Sequence, residues 1–277
     1  MRTDGFRHAF GRVLLHVVLM TTGIFFMFPF IWSISTSLKP MADLFSVTPS
    51  LIPSEFRWQN YADVFDSAPF LRFYLNTVIV TIVRTAGQVF IASLAGFAFA
   101  QLRFPGRGAL FFLLLAGLMV PDQVLIVPRF IVMREFGWLN TYQGLIIPLT
   151  FSAFGAFLLR QYFLGIPKDF HEAARLEGAN PFQVYRDIYL PLARPALGAF
   201  AFLSLLFSWN EFLWALTVTN SADMQVLSVG IALFQGQHFT NNAILLAAAN
   251  MATIPLLIAF LFFQKQLVEG ITLSGLK

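Results

Sequence analysis

The chain has 277 residues, of which 57% are hydrophobic and only 12% are charged. Soluble domains carry about one charged residue in four, so this composition excludes an ordinary soluble protein and indicates a polytopic membrane protein. The formal charge of +4 is spread unevenly along the chain, which favours a topology signal over a nucleic-acid-binding surface, and the absence of cysteine excludes disulfide bonds and thiolate metal sites.

The N-terminal part of the chain predicts one membrane crossing followed by a polar loop. Residues 1–12 are polar and basic, and the apolar run 13–35 is long enough for a hydrocarbon core that needs ~20 residues. A cleaved signal peptide is the alternative, but its apolar core is usually ~7–15 residues, so we reject it. Residues 36–71 are too polar and too interrupted by proline to span, which indicates an extracytoplasmic loop.

The rest of the chain predicts a five-helix core over residues 72–264 and a cytoplasmic tail over 265–277. Its predicted spans are the five long apolar runs: Phe73 to Ala100, Gly108 to Ile131, Thr141 to Phe163, Arg194 to Val218 and Asn241 to Phe263. Pro121 and Pro128 should kink or break the third span. An outer segment over 220–240 contains an apolar stretch that is too short to cross. The predicted fold class is an all-α membrane protein with six transmembrane helices.

Basic residues give this topology an orientation. Placing both termini in the cytoplasm puts twelve of the eighteen Lys and Arg residues inside and five outside, with Arg84 in the membrane. This asymmetry agrees with the positive-inside rule. It predicts that residues 167–191, between the fourth and fifth spans, face the cytoplasm.

Residues 167–191 form a charged island, DFHEAARLEGANPFQVYRDIYLP from Asp169 onward, in an otherwise apolar sequence. We expect Asp169 to cap a short helix with Glu172 completing a capping box, and Gly178 to end it in the left-handed conformation. Asn180-Pro181 should start a second helix. A helix this short needs a packing partner. Spacing alone leaves open whether that partner is this chain's own membrane domain or another protein.

The pattern Glu172-Ala173-Ala174, Gly178, Ile188 and Leu190-Pro191 resembles the EAA loop of ABC importer permeases at every fixed position. The whole chain is similar to the carbohydrate-type permeases that carry maltose, other oligosaccharides or glycerol phosphate esters. The resemblance implies a type I ABC importer permease fold in which the first helix of the loop is a coupling helix. The residues implied to contact the ATPase are these: Phe170, Glu172, Ala173, Ala174, Gly178, Ile188, Leu190 and Pro191.

The same resemblance implies a set of partners. These are a second homologous permease subunit, two ABC ATPase subunits that use ATP-Mg, an extracytoplasmic solute-binding protein, a sugar-like solute and membrane lipid. The implied location is a bacterial or archaeal cytoplasmic membrane, which the chain crosses several times. We expect no nucleic acid partner.

Enzymatic chemistry is not expected. None of the four lysines follows a glycine, so the phosphate-binding Gly-x-x-x-x-Gly-Lys-Ser/Thr pattern is absent from the sequence. The four histidines, His8, His16, His171 and His238, lack metal-ligand spacing. We therefore expect a non-catalytic subunit that binds no cofactor or metal directly.

Polar residues within the spans are candidates for a translocation pathway. A charge at mid-bilayer costs roughly 2.5–3.5 kcal/mol, so Arg84 and Glu211 should face a cavity or pair with each other. Alternatively, Arg84 snorkels outward and Glu211 only bonds a neighbouring helix. The block Trp209-Asn210-Glu211-Phe-Leu-Trp214 combines aromatic and polar groups, as sugar sites do.

Two of the pathway candidates have equally plausible structural roles. Trp214 could instead belong to an interfacial aromatic belt, and Asn250 could hold two helices together. Asn76 and Gln88 are further candidates.

These observations predict a permease subunit that forms half of the pathway for a sugar, an oligosaccharide or a glycerol-phosphate-type solute. The alternative is a secondary transporter or channel driven by an ion gradient, which should show internally related halves. No such internal relation is evident in the sequence.

Overall fold

Three long apolar helices dominate the structure, a computed structural model that describes residues 2–46, 48–235 and 241–275. They are α1 (Arg2–Ser37), α4 (Phe70–Gln101) and α15 (Asn242–Gly275). Each contains a stretch long and apolar enough to cross a membrane. Two of them are longer than expected: α1 includes the polar N-terminal residues, and α15 continues past the predicted end of the sixth span.

Three further candidate spans are bent pairs of shorter helices, so the described chain holds three single helices long enough to span, or up to six spans if each bent pair is counted as one. The pairs bend by 92°, 42° and 80°. The first two comprise these elements: α5 (Arg107–Gly117) with a 3₁₀ turn (Asp122–Leu125) and α6 (Ile126–Glu135); and α7 (Tyr142–Ile146) with a 3₁₀ turn (Ile147–Leu149) and α8 (Ala153–Leu164). The third comprises α10 (Pro181–Val184), a π-helical turn (Tyr185–Tyr189), α11 (Leu190–Leu192) and α12 (Arg194–Trp209).

The remaining elements are short helices in the connections. They are α2 (Met41–Leu44), α3 (Gln59–Ser67), α9 (Lys168–Leu176), α13 (Leu213–Val218) and α14 (Leu227–Leu233). Among the described residues, 38–69 and 220–235 contain only helices too short to span. His238 and Lys277 lie outside the described residues.

The breaks in the spans have identifiable causes. Pro121 interrupts the third span, as its sequence predicts. The break in the fourth span was not predicted; there Ser152 accepts a hydrogen bond from the backbone N–H of Gly155 at 3.0 Å and so caps α8. The predicted fifth span is also wrong as one continuous helix, because α12 ends at Trp209 and α13 begins at Leu213.

The chain divides into two units, residues 1–68 with 233–252 and residues 69–232 with 253–277. In the second unit α4 packs along α8 and α12. A Cβ on Gly96 would lie 2.9 Å from the backbone nitrogen of Arg160, so the absence of a side chain lets α4 and α8 approach closely. In the first unit the amide of Asn250 accepts a hydrogen bond from Ser33 and donates one to Ser37, joining α15 to α1.

Candidate functional site

The start of α9 differs from the sequence prediction. The helix begins after Pro167, which has extended backbone angles and makes no side-chain cap, so Asp169 lies in the first turn instead of capping it. The predicted capping box of Asp169 with Glu172 is therefore wrong. The capping box belongs to the next helix, where Asn180 and Gln183 exchange side-chain to backbone hydrogen bonds of 2.8 and 3.0 Å.

The end of α9 is as predicted. Gly178 has a φ of +84°, in the left-handed region. The backbone N–H of Ala179 donates to the carbonyl of Ala174 at 3.0 Å, and that of Gly178 donates to Arg175 at 3.1 Å. These two bonds form a complete Schellman motif, so glycine fixes the angle at which the chain leaves α9.

Only one side of α9 packs on its own chain. Ala174 is 8% exposed and lies in a core cluster with Phe163 and Tyr189. Glu172 and Ala173 are exposed, Phe170 is 48% exposed and Leu176 is 90% exposed. The helix therefore rests on its own domain through Ala174 and His171 and presents apolar side chains outward.

The second half of the loop joins α9 to the membrane helices. Ile188 and Leu190 are partly buried against the cluster that contains Ala174, whereas Pro191 is exposed. Tyr189 is fully buried beneath α9, and its ring meets His171 edge-on with centroids 6.1 Å apart. Ala174, Ile188 and Leu190 of the predicted coupling segment thus contact the same buried core cluster.

His171 is a titratable group within this contact. Its Nδ1 atom is buried and has no hydrogen-bond partner among the described residues. Burial lowers the pKa of His171 from its ordinary value, and the charge of Arg175 lowers it further while Glu172 opposes both. The neutral form of the ring is therefore the one that the site favours.

Arg84 and Glu211 line the same cavity, together with Ser208 and Trp214. Among the described residues, however, their charged groups are not within the 4.0 Å of an ion pair. The cavity volume is about 10 Å³, close to the room that one water molecule needs. The Arg84 Nε atom donates to the carbonyl of Leu149 at 3.2 Å. The Glu211 carboxylate accepts the backbone N–H of Trp214 at 2.9 Å.

The two tryptophans of the aromatic block are buried inside the chain. Trp209 meets Tyr74 in an edge-to-face contact with ring centroids 5.9 Å apart. Trp214 donates from its indole nitrogen to the carbonyl of Gly144 at 3.0 Å and is only 2% exposed. Trp214 is therefore a core residue, and the interfacial-belt alternative is wrong.

Asn210 and Asn250 have different surroundings. Asn210 lies at the break after α12, where its side chain is exposed and donates to the carbonyl of Leu206 at 2.8 Å. Asn250 makes the α1–α15 hydrogen bonds described above, as the helix-joining alternative predicts. Arg84, Glu211 and Trp214 therefore share a cavity, whereas Asn210 and Asn250 are not among its described lining residues.

Leu176 and Tyr189 are two residues of the loop that sequence reasoning did not single out. Leu176 is an apolar residue in a charged helix, two positions before the glycine that ends it, and that placement was a usable signal. Tyr189 was not recognisable from sequence, because its burial depends on the core contacts of the folded loop.

Comparison with known proteins places the chain among transport proteins. Residues 88–272 match the family described as binding-protein-dependent transport system inner membrane component. The arabinooligosaccharides transport system permease protein AraQ of Bacillus subtilis is 32% identical, over 96% of each chain. The sn-glycerol-3-phosphate transport system permease protein UgpE of Agrobacterium fabrum is 31% identical, over 94% of this chain and 96% of the relative.

Solved structures agree with these sequence relationships. A chain of a bacterial ABC transporter involved in the import of the acidic polysaccharide alginate superposes with a TM-score of 0.81 and 25% identity, covering 91% of this chain and 95% of that one. A chain of the MetNI methionine ABC transporter shares the fold, with a TM-score of 0.54 and 19% identity over 73% of this chain and 95% of that one. The chain therefore belongs to the family of binding-protein-dependent transport system inner membrane components, and it is a permease of an ABC importer.

Proposed function

We propose that this permease forms half of the translocation pathway for a sugar, an oligosaccharide or a glycerol-phosphate-type solute. In this proposal it works with a second homologous permease subunit, two ATPase subunits that use ATP-Mg and an extracytoplasmic solute-binding protein. The relatives named for arabinooligosaccharides and for glycerol phosphate support this solute class. The absence of a phosphate-binding loop from the sequence supports placing ATP hydrolysis on separate subunits.

The exposed face of α9 is the observation that carries the proposal. Phe170, Glu172 and Leu176 project from a helix held to its own domain through Ala174. Exposed apolar groups outside the membrane spans favour a protein partner, since water solvates them poorly. A cleft on the ATPase that receives this face would complete the burial of the helix, and Gly178 would set its angle.

Core contacts offer a route from α9 to the membrane. Ala174 and Tyr189 share a cluster with Ala193, Ala196 and Phe200, which lie at or near the start of α12. A displacement of α9 by the ATPase would therefore act on α12 through packed side chains. Such coupling requires α9 to contact the open and closed ATPase states differently.

The break between α12 and α13 is our candidate for the pathway lining. Irregular backbone at membrane depth is tolerated only inside protein or beside a water-filled cavity. Asn210 is exposed at this break, and Glu211 follows it. Arg84, Trp209, Trp214 and Asn250 would then support the shape of the pathway more than they touch the solute.

The charge asymmetry of the sequence supports a cytoplasmic position for α9, where ATPase subunits could reach it. We accordingly assign the permease to a bacterial or archaeal cytoplasmic membrane with both termini inside.

Uptake measurements on the assembled complex test the proposal. Glu172→Lys combined with Leu176→Ala should abolish substrate-stimulated ATP hydrolysis and uptake while membrane insertion persists, since both residues are exposed. Phe112→Ala, at an exposed position of α5, is the matched control and should leave uptake unchanged. Unchanged uptake in the double variant, or uptake abolished by an ionophore with ATP still present, would refute ATPase coupling and favour a gradient-driven transporter.

A further inference from the structure

The connection after α1 folds back along the helix it has just left. The Lys39 ammonium donates to the carbonyl of Ser50 at 2.6 Å and lies 4.8 Å from the centre of the Trp32 ring. The Ser35 hydroxyl donates to the carbonyl of Leu51. Residues 50 and 51 therefore lie beside the last two turns of α1 and not beyond its end.

The depth of these contacts follows from helix geometry. The part of α1 that could cross a membrane runs from Gly11 to Ser37, a length that covers the hydrocarbon core together with its headgroup regions. At a rise of 1.5 Å per residue, Ser35 lies about 3 Å and Trp32 about 7.5 Å inside the end of that span. The backbone at Ser50 and Leu51 is thus level with a tryptophan and a lysine, the residues that mark a membrane interface.

The apolar side chains of this connection point away from the protein. Ile52 is 73% exposed, and Leu51, Phe56 and Trp58 are also exposed. The backbone N–H of Arg57 donates to the carbonyl of Leu38 at 2.8 Å, which holds residues 56–58 level with the end of α1. The connection therefore presents Ile52 at the depth of the span and two aromatic rings at its edge.

Polar contacts within the connection hold this conformation. The backbone N–H and the hydroxyl of Ser54 donate to the two carboxylate oxygens of Asp43 at 2.8 and 2.7 Å. Asn60 donates to the carbonyls of Ser37 and Lys39 at 2.8 and 3.0 Å. Hydrogen bonds consequently fix the conformation of the loop, while its apolar side chains remain exposed on the surface of the chain.

We propose that residues 50–58 form a membrane-interface anchor, in which Ile52 enters the acyl-chain region and Phe56 and Trp58 lie among the lipid headgroups. A water-soluble binding protein would have to enter the headgroup region to cover Ile52 at the level of Ser35. The lipid interface accepts both aromatic rings and a lysine ammonium. This anchor fixes the outer loop relative to the membrane, independently of how the permease is driven.

Site-directed spin labelling of the full chain tests the anchor, and the natural absence of cysteine makes every introduced label unique. Ile52→Cys and Phe56→Cys are compared with Glu55→Cys, an exposed acidic position in the same loop, in phosphatidylethanolamine and phosphatidylglycerol vesicles. We expect the ratio of oxygen to water-soluble nickel collisions to be several-fold higher at position 52 than at 55, with 56 between them. Equal ratios at 52 and 55, or exclusion of both reagents from 52, would overturn the proposal.

A second measurement avoids any disturbance caused by the label. Brominated lipids should quench part of the tryptophan emission of the parent chain, and Trp58→Phe should remove a component of that quenching. An unchanged quenched component in Trp58→Phe would contradict the anchor. Protection of position 52 from oxygen by an added solute-binding protein would likewise assign the surface to that protein instead of lipid.

Discussion

The side chain of Arg84 donates to the backbone carbonyl of Leu149 at 3.2 Å, and Gln88 donates to the same oxygen at 2.6 Å. Leu149 is the last residue before the break between α7 and α8, where a carbonyl loses its helical partner. Two polar residues of α4 therefore satisfy a backbone group that would otherwise be unpaired at membrane depth. This accounts for a buried arginine in the second span without requiring contact with a solute.

Replacing Gln88 by leucine tests this role. Gln88→Leu keeps the volume of the side chain but removes the 2.6 Å bond to Leu149 and the acceptor that Ser204 uses. We expect a stability loss of about 1–3 kcal/mol, because buried polar groups lose their partners. Thermal unfolding of the purified permease measures it. Val83→Leu, at an exposed position of the same helix, should melt with the parent, and equal melting of Gln88→Leu would refute the assignment.

Glu211 should stabilise the start of α13. Its carboxylate accepts the backbone N–H of Trp214 at 2.9 Å, one of the first amides of that helix. We expect Glu211→Ala to cost about 0.5–2 kcal/mol, as loss of a helix cap does, and Glu211→Gln to cost less because an acceptor remains. The difference in unfolding temperature between the two variants checks this. Identical temperatures would mean that charge, and not the hydrogen bond, is what matters at position 211.

Gly178 and Gly106 provide a matched pair of backbone substitutions. Both have positive φ, +84° and +76°, and at both positions an added Cβ would meet no atom of the described residues within 4 Å. Alanine at either position should therefore cost about 1–2 kcal/mol through backbone strain alone. Only Gly178→Ala should also reduce substrate-stimulated ATP hydrolysis by the complex, since it alters the exit from α9. Equal hydrolysis rates for the two variants would separate Gly178 from coupling.

Acid should loosen the packing of α9. The pKa of His171 is lower in the folded chain than its ordinary value of 6.5, so the unfolded segment binds more protons over the interval below 6.5. The neutral His171 ring therefore stabilises the folded helix above pH 6.5. This stabilisation is lost as the pH falls from 6.5 through the lowered pKa of His171. Hydrogen exchange of α9 at pH 7.5 and 5.5 should show faster opening at the lower pH. His171→Gln should remove this dependence, whereas the control His16→Gln should retain it.

Local signals in the sequence were sufficient for several features. Gly178 was expected in the left-handed conformation because few other residues adopt it, and Asn180-Pro181 was expected to restart the chain. Pro121 was expected to interrupt its span. Each of these depends on the backbone preferences of one or two residues, so tertiary packing had little influence on the outcome.

Features that depend on distant contacts were not predictable. The carbonyl of Leu149 accepts hydrogen bonds from Arg84 and Gln88, which lie about 60 positions earlier in the chain. No periodicity in the sequence predicts these bonds. Trp214 is buried because Gly144 supplies an acceptor for its indole nitrogen. The Asp169 prediction failed for a local reason: Asp169 and Glu172 have capping-box spacing, but α9 begins directly after Pro167, which puts Asp169 inside the first turn.

Cysteine accessibility at Leu176 tests the central claim most directly. Leu176→Cys would carry the only thiol of the chain, at a position that is 90% exposed on α9. In right-side-out membrane vesicles, an impermeant maleimide should fail to label it, and a short bifunctional reagent should cross-link it to a separate ATPase polypeptide. Labelling from the outer face, or no cross-link in vesicles that transport actively, would contradict a coupling helix at this position.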